Sequence, residues 1–194
     1  MMTIALVILA YLVGSIPSGF ILGRLAGVDV RDAGSGNIGA TNVARVLGKR
    51  RGLLTLLADV AKGFLPVFLG QRLGLGDAAL ELAAVAAFLG HLYPVFLRFQ
   101  GGKGVATAFG ALLALAPLAT PLILLVFGVA VFYSRRVSAG SIAAAFAAPL
   151  SVWAFFYSVE LVAVSAFLGA MVILRHRENI QRLLAGTEPP FGAG

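Results

Sequence analysis

The residues with chemistry to offer gather in a few short segments of a chain otherwise built from Leu, Ala, Val and Phe. One segment reads Gly34-Ser35-Gly36-Asn37-Ile38-Gly39-Ala40-Thr41-Asn42, with Arg45 close behind; another reads Gly101-Gly102-Lys103-Gly104. Glycines reach positive φ without a Cβ in the way, so consecutive backbone amides can converge on one anion. Ser35, Asn37, Thr41 and Asn42 add side-chain donors. A helix starting near Thr41 would add its own unpaired amides and place Arg45 one turn on. Lys103 can approach a phosphate as a point charge with the neighbouring amides assisting. The first segment lacks the Gly-Lys-Ser/Thr ending of a Walker loop. Flexible connections also use Gly, Ser and Asn, but Arg45 and several polar groups crowd this short stretch, and anion binding accounts for all of them.

A third cluster is His176-Arg177-Glu178-Asn179, with Arg182 one turn on. On a helix His176 and Asn179 share a face at i, i+3 and Arg182 continues it; a solvated helix end at the membrane surface is the plainer alternative. Asp59 and Lys62, also at i, i+3, fall inside an apolar stretch, where charge is costly unless paired or facing a cavity. They read as an internal pair. His91, before Tyr93-Pro94, reads as a hydrogen-bonded packing histidine, and Ser141 begins a late apolar stretch from which it could reach a site.

The elements that position these residues must be membrane helices. Of 194 residues 60% are hydrophobic and 12% charged, about half the charge of a soluble domain. There is no Cys, which excludes disulfides, thiolate catalysis and Cys-ligated metal, and only two His, which argues against a histidine metal cluster. The net charge of +7 reads as cytoplasmic loop charge, not as a nucleic-acid footprint.

A crossing takes about 20 apolar residues. Residues 3–23, 52–73 and 78–97 each supply one. Residues 105–133 would be about 44 Å long as one helix, too long without steep tilt, and Pro117 and Pro121 sit near the middle. Residues 139–174 would be about 54 Å, so they also form two helices, broken within 157–160. The expected fold is an all-α integral membrane protein of about seven transmembrane helices, one polytopic domain over 1–194. With the N-terminus out and the C-terminus in, thirteen of the fifteen basic residues lie inside, beside both glycine-rich segments. Arg72 alone falls outside, and Lys62 lies within the second span. Fusing the fourth and fifth spans would carry Arg135, Arg136 and the C-terminal arginines outside, against the positive-inside rule.

At its three polar segments the chain resembles the bacterial acyl-phosphate:glycerol-3-phosphate acyltransferases (PlsY). The matching residues are Gly34 through Asn42 with Arg45, then Gly101-Gly102-Lys103-Gly104-Val105-Ala106-Thr107, then His176-Arg177-Glu178-Asn179-Ile180. Gly14-Ser15-Ile16-Pro17, Asp59 with Lys62-Gly63, and Gly90-His91-Leu92-Tyr93-Pro94 match as well. The resemblance covers essentially the whole chain, in order. It implies transfer of a fatty acyl group from acyl phosphate to the sn-1 hydroxyl of glycerol 3-phosphate, giving lysophosphatidic acid and phosphate, the first step of phospholipid synthesis. It also implies a multi-pass protein of the bacterial inner membrane with cytoplasmic active loops.

By that resemblance Ser35, Asn37, Thr41 and the nearby Gly34, Gly36, Gly39, Ala40 and Asn42 line a phosphate loop. Arg45 and Lys103 hold phosphate and stabilise charge on the attacked carbonyl, with Gly101, Gly102, Gly104 and Ser141 contributing to binding. His176 and Asn179 orient glycerol 3-phosphate or assist proton transfer. The expected partners are the two substrates and membrane lipid, without cofactor, metal, nucleic acid or obligate protein partner. The general base stays open. The familiar His-x4-Asp of glycerolipid acyltransferases is absent, so either a donor phosphate takes the proton in a direct transfer or His176 does. A transporter for a phosphorylated solute is the main alternative outside enzymes, but no internal repeat is visible and the polar groups lie at one interface. A scaffold would leave the glycine-rich loops unexplained.

Overall fold

The computed structural model describes residues 1–156 and 158–191. Among them every regular element is helical. The chain divides into two compact units, residues 1–114 and residues from Leu115 onward.

In the first unit the helices are α1 (Met2–Gly14), α2 (Ser18–Leu25), α3 (Ala40–Leu47), α4 (Lys49–Arg72), α5 (Asp77–Leu92) and α6 (Val105–Leu115), with a 3₁₀ turn at Val95–Leu97. The first apolar stretch, expected as one helix, is two. Pro17 has no amide to donate, and the helical ladder stops at Ser15-Ile16 before α2 restarts at Ser18. α1, α4 and α5 pack together at small residues, as membrane helices do where apolar side chains gain nothing by leaving lipid. A methyl on Gly14 would run into the carbonyl of Ala87, and one on Gly90 into that of Tyr11. Gly63 of α4 meets the Thr107 carbonyl of α6, and Gly110 of α6 meets that of Val60.

α4 is built inside out relative to a helix in water. It buries Thr55, Asp59 and Lys62 with Gly52, Gly63 and Gly70, and it exposes Leu53, Leu54, Leu57, Leu65 and Phe68. A soluble helix keeps leucine in and charge out; the inversion belongs to a helix whose solvent is hydrocarbon.

The second unit holds α7 (Thr120–Ser134), α8 (Val137–Phe156), α9 (Val159–Arg175) and α10 (Arg177–Leu184). The two expected breaks are present. α6 and α7 are separate helices divided near Pro117, and α8 and α9 are separated at Ser158, whose hydroxyl accepts the Leu161 amide at 3.2 Å. Tyr157, part of that expected break, lies outside the described residues.

Among the described residues four segments are long and apolar enough to cross a bilayer: Met2–Leu25, Lys49–Arg72, Asp77–Leu97 and Val137–Phe156. The α9–α10 pair, bent by 60°, is a fifth candidate. α6 and α7, with 11 and 15 residues, are only about 16 and 22 Å long, each shorter than the hydrocarbon core.

Candidate active site

The segment 34–42 folds around one buried side chain. Asn42, 2% exposed, donates its amide nitrogen to the carbonyls of Val30, Ala33 and Asn37 at 2.9, 3.1 and 2.8 Å. Its side-chain oxygen accepts the Ser35 amide at 2.7 Å. Gly34 passes this oxygen with φ +62°, where any Cβ would fall on it, so both the left-handed backbone and the missing side chain are required there. The Gly36 amide goes to the Ala33 carbonyl and the Gly39 amide to the Asn37 side chain.

Several donors expected to face an anion are therefore consumed in shaping the loop, Asn42 foremost. What the fold leaves available is the first turn of α3. The amides of Ala40 and Thr41 have no helical acceptor, and the exposed side chains of Ser35, Thr41 and Arg45 make no hydrogen bond or ion pair with the described residues. Thr41 and Arg45 share a face of α3 at i, i+4. Such a helix start, with its dipole and an arginine, has the chemistry that attracts an anion.

Other basic side chains nearby are already engaged. Arg31 grips Asp29 through Nε and Nη2 at 2.9 and 2.6 Å, and Arg24 reaches the same carboxylate at 2.9 Å. Both guanidiniums lie over the Phe20 ring, at 4.6 and 5.1 Å from its centroid. The hydrogen bonds from Arg31 hold the Asp29 carboxyl well below the usual carboxylate range.

The segment 101–104 is tied to the end of α5. The Gly101 and Gly102 amides donate to the carbonyls of Leu92 and His91, each at 3.1 Å, which ties the loop to α5. Gly104, at φ +82°, packs on the Phe88 ring. Lys103 stands between them, half-buried. Leu97, in the 3₁₀ turn that precedes this segment, packs with Val30, Ile38 and Val43 around the first one.

Ser141, His176 and Asn179 belong to the second unit. His176 is the joint between α9 and α10, 4% exposed, with Nδ1 2.7 Å from the Val172 carbonyl. A carbonyl only accepts, so Nδ1 carries the proton and the lone pair of the neutral ring lies on Nε2. Asn179 donates to Glu188 Oε1 at 2.6 Å, Ser138 donates to the same oxygen at 2.6 Å, and Arg182 Nε donates to Oε2 at 2.7 Å. Arg136 adds a bond to the Glu188 carbonyl at 2.9 Å. Ser141, one turn beyond Ser138, donates to the Val137 carbonyl within its own helix at 3.0 Å.

A family model described as Glycerol-3-phosphate acyltransferase matches residues 4–186. The glycerol-3-phosphate acyltransferase of Myxococcus xanthus is 54% identical over 98% of this chain and 100% of its own. That of Syntrophotalea carbinolica is 53% identical over 95% of each. The chain belongs to the glycerol-3-phosphate acyltransferase family. A crystal structure of PlsY (YgiH), an integral membrane glycerol 3-phosphate acyltransferase in its glycerol 3-phosphate form, aligns with a TM-score of 0.95 at 44% identity. It covers 99% of this chain and 96% of that one. The lysophosphatidic acid form of the same enzyme aligns with a TM-score of 0.92. The chain is accordingly an integral, multi-pass membrane member of that family.

Glu188 is the residue that sequence reading of this acyltransferase family member passed over. Its signal was a lone acid between Thr187 and Pro189, just beyond a run of arginines. Burial works against its charge, but the hydrogen bonds from Ser138, Arg182 and Asn179 outweigh that and hold its carboxyl below the ordinary value.

Proposed function

We propose that the chain transfers a fatty acyl group from acyl phosphate to the sn-1 hydroxyl of glycerol 3-phosphate, releasing lysophosphatidic acid and inorganic phosphate. The observation that carries this reading is the near-complete alignment with an acyltransferase crystallised in both a glycerol 3-phosphate and a lysophosphatidic acid form. The open start of α3, with Thr41 and Arg45 on one face, together with the lysine of the 101–104 loop, supplies what a phosphorylated substrate requires.

In this reading Ser35, Asn37 and Thr41 bind phosphate together with the α3 amides of Ala40 and Thr41, while Gly34, Gly36 and Gly39 let the loop take its path. Asn42 holds the loop in shape. Arg45 and Lys103 neutralise phosphate charge and the negative charge that develops on the attacked carbonyl oxygen. Lys103 acts with Gly104, while Gly101 and Gly102 fix its loop. His176 and Asn179 orient the acceptor, with Ser141 contributing to binding.

The glycerol hydroxyl oxygen attacks the acyl carbonyl carbon. The bond from that carbon to the phosphate oxygen breaks, and the departing phosphate takes the hydroxyl proton. Positioning and charge neutralisation carry most of the rate, without an acyl-enzyme, cofactor, metal or protein partner. The protonated Nδ1 of His176 leaves Nε2 as a basic nitrogen, which supports a second version in which His176 receives the proton. The whole chain acts as one polytopic domain of the bacterial inner membrane. Charge placement and the two observed helix breaks support seven crossings, N-terminus out, C-terminus in and reaction on the cytoplasmic side.

The test is phosphate release by purified protein in lipid, supplied with palmitoyl phosphate and glycerol 3-phosphate. Phosphate and 1-acyl lysophosphatidic acid should appear in equal amounts and collapse together in Lys103→Ala. Absence of product from folded protein would overturn the reading. An acyl-serine trapped on Ser35 during turnover would overturn direct transfer.

A further inference from the structure

We propose that His91 is a positioning residue for Lys103. This deepens the acyltransferase reading and rests on it, since the positioned group is the lysine assigned there to the phosphate.

His91 sits in the last turn of α5, 4% exposed. Its Nδ1 lies 3.8 Å from Asp59 Oδ1 on α4. Asp59 is itself held by Lys62, whose Nζ is 2.9 Å from the same oxygen and donates to the Ile16 carbonyl at 3.0 Å. That carbonyl belongs to the break between α1 and α2, where Pro17 interrupts the helical ladder. Two helices, α4 and α5, and the break between α1 and α2 thus meet on one chain of polar contacts inside the first unit.

The other edge of the imidazole faces Gly102. A Cβ at Gly102 would fall on His91 Nε2, so the loop backbone lies directly against the ring. The same glycine donates its amide to the His91 carbonyl, and Gly104 is seated on Phe88, one turn earlier in α5. Lys103 is therefore carried between two glycines that both rest on α5, one of them on the His91 ring.

Charge inside a membrane helix is costly, and a buried ion pair is a poor source of stability when apolar residues could fill the same volume. The buried His91 ring offers a flat face, and against that face the backbone before Lys103 is laid. Sequence reading made His91 a packing histidine. The structure keeps the packing and identifies its partner as the loop.

Because the chain has no cysteine, Lys103→Cys creates a single thiol whose reaction with a water-soluble maleimide reports on the loop without turnover. In lipid nanodiscs, adding His91→Leu should raise the labelling rate about threefold or more as the loop loosens. An unchanged rate in folded protein would overturn the proposal. With Lys103 intact, His91→Leu should lower kcat/KM about tenfold or more, chiefly through a higher KM for the phosphate-bearing substrates. A loss confined to kcat, or one that simply tracks the melting temperature, would overturn it.

Gly102→Ala places a methyl on Nε2 and should lose activity, which the Gly102→Ala, His91→Ala pair should partly restore by making room. Equal activity of single and double variants would count against the contact. Failure of the acyltransferase reading looks different: the wild-type chain would give no product, while the labelling rates would still respond to residue 91.

Discussion

Asn42 Oδ1 accepts the backbone amide of Ser35 at 2.7 Å, across seven residues, while its amide nitrogen faces three loop carbonyls. One side chain thus sets the path of the whole segment before α3. Removing it leaves a buried donor and several carbonyls without partners, each costing about 1–3 kcal/mol. Asn42→Ala should lower the melting temperature and abolish acyl transfer. Asn42→Asp keeps the acceptor for Ser35 but turns a second oxygen toward carbonyls that need a donor, so it should be no better than alanine. Thermal melts and product formation on the two variants check this; activity retained in Asn42→Asp would contradict it.

Glu188 gathers Ser138, Asn179 and Arg182 on one carboxylate, and its folded-state pKa lies below the ordinary value of 4.5. A carboxyl depressed in this way contributes its stability above the unfolded pKa and loses it as pH falls through the folded one. The melting temperature should be flat around neutrality and drop below about pH 4.5, and in Glu188→Gln that acid-side drop should shrink. Glutamine can still accept from Asn179 but gives up the charge opposite Arg182, so Glu188→Gln should be milder than Glu188→Ala. Melting curves across pH on the three proteins decide it.

The sequence made the membrane class, the breaks near Pro117 and at Ser158, and the paired Asp59–Lys62 legible, because hydropathy, proline and buried charge are local signals. It could not tell which loop donors face outward. Asn42 and Thr41 are adjacent polar residues of a glycine-rich stretch, yet α3 turns one inward and the other outward. The break at Ser15–Pro17 was hidden for a related reason: an apolar run of spanning length conceals one proline. Glu188 was missed because its partners Ser138 and Asn179 lie 50 and 9 residues away, and only folding brings them to one carboxylate.

Asp59 and Lys62 are each almost wholly buried, with 2.9 Å between their charged atoms. Taking away one member strands the other charge in the bundle, a loss of about 3–5 kcal/mol. Lys62→Met and Asp59→Leu should each be strongly destabilised, and the double variant less so than either alone. Unfolding of the three proteins in the same lipid tests the coupling. Losses that simply add would mean the two charges are stabilised independently.

Arg31 and Arg45 lie fourteen positions apart in the same polar region but are in opposite states. Arg31 is committed to Asp29 at 2.6 Å and to the face of Phe20. Arg45 projects from α3 on the same face as Thr41 and makes no ion pair with the described residues. If phosphate binding depended on general positive charge, neutralising either residue would cost about the same, and added salt would erase the difference. If it depends on a guanidinium placed at the helix start, only Arg45 should matter. Arg45→Gln should lower kcat/KM about 10²-fold, in the range for losing one preorganised charge-stabilising donor. Arg31→Gln should stay within about threefold of wild type, since a guanidinium already neutralised adds little field at a distance. Steady-state kinetics on both variants at low and high salt separate the cases, and equal losses in the two would remove the α3 start from the phosphate site.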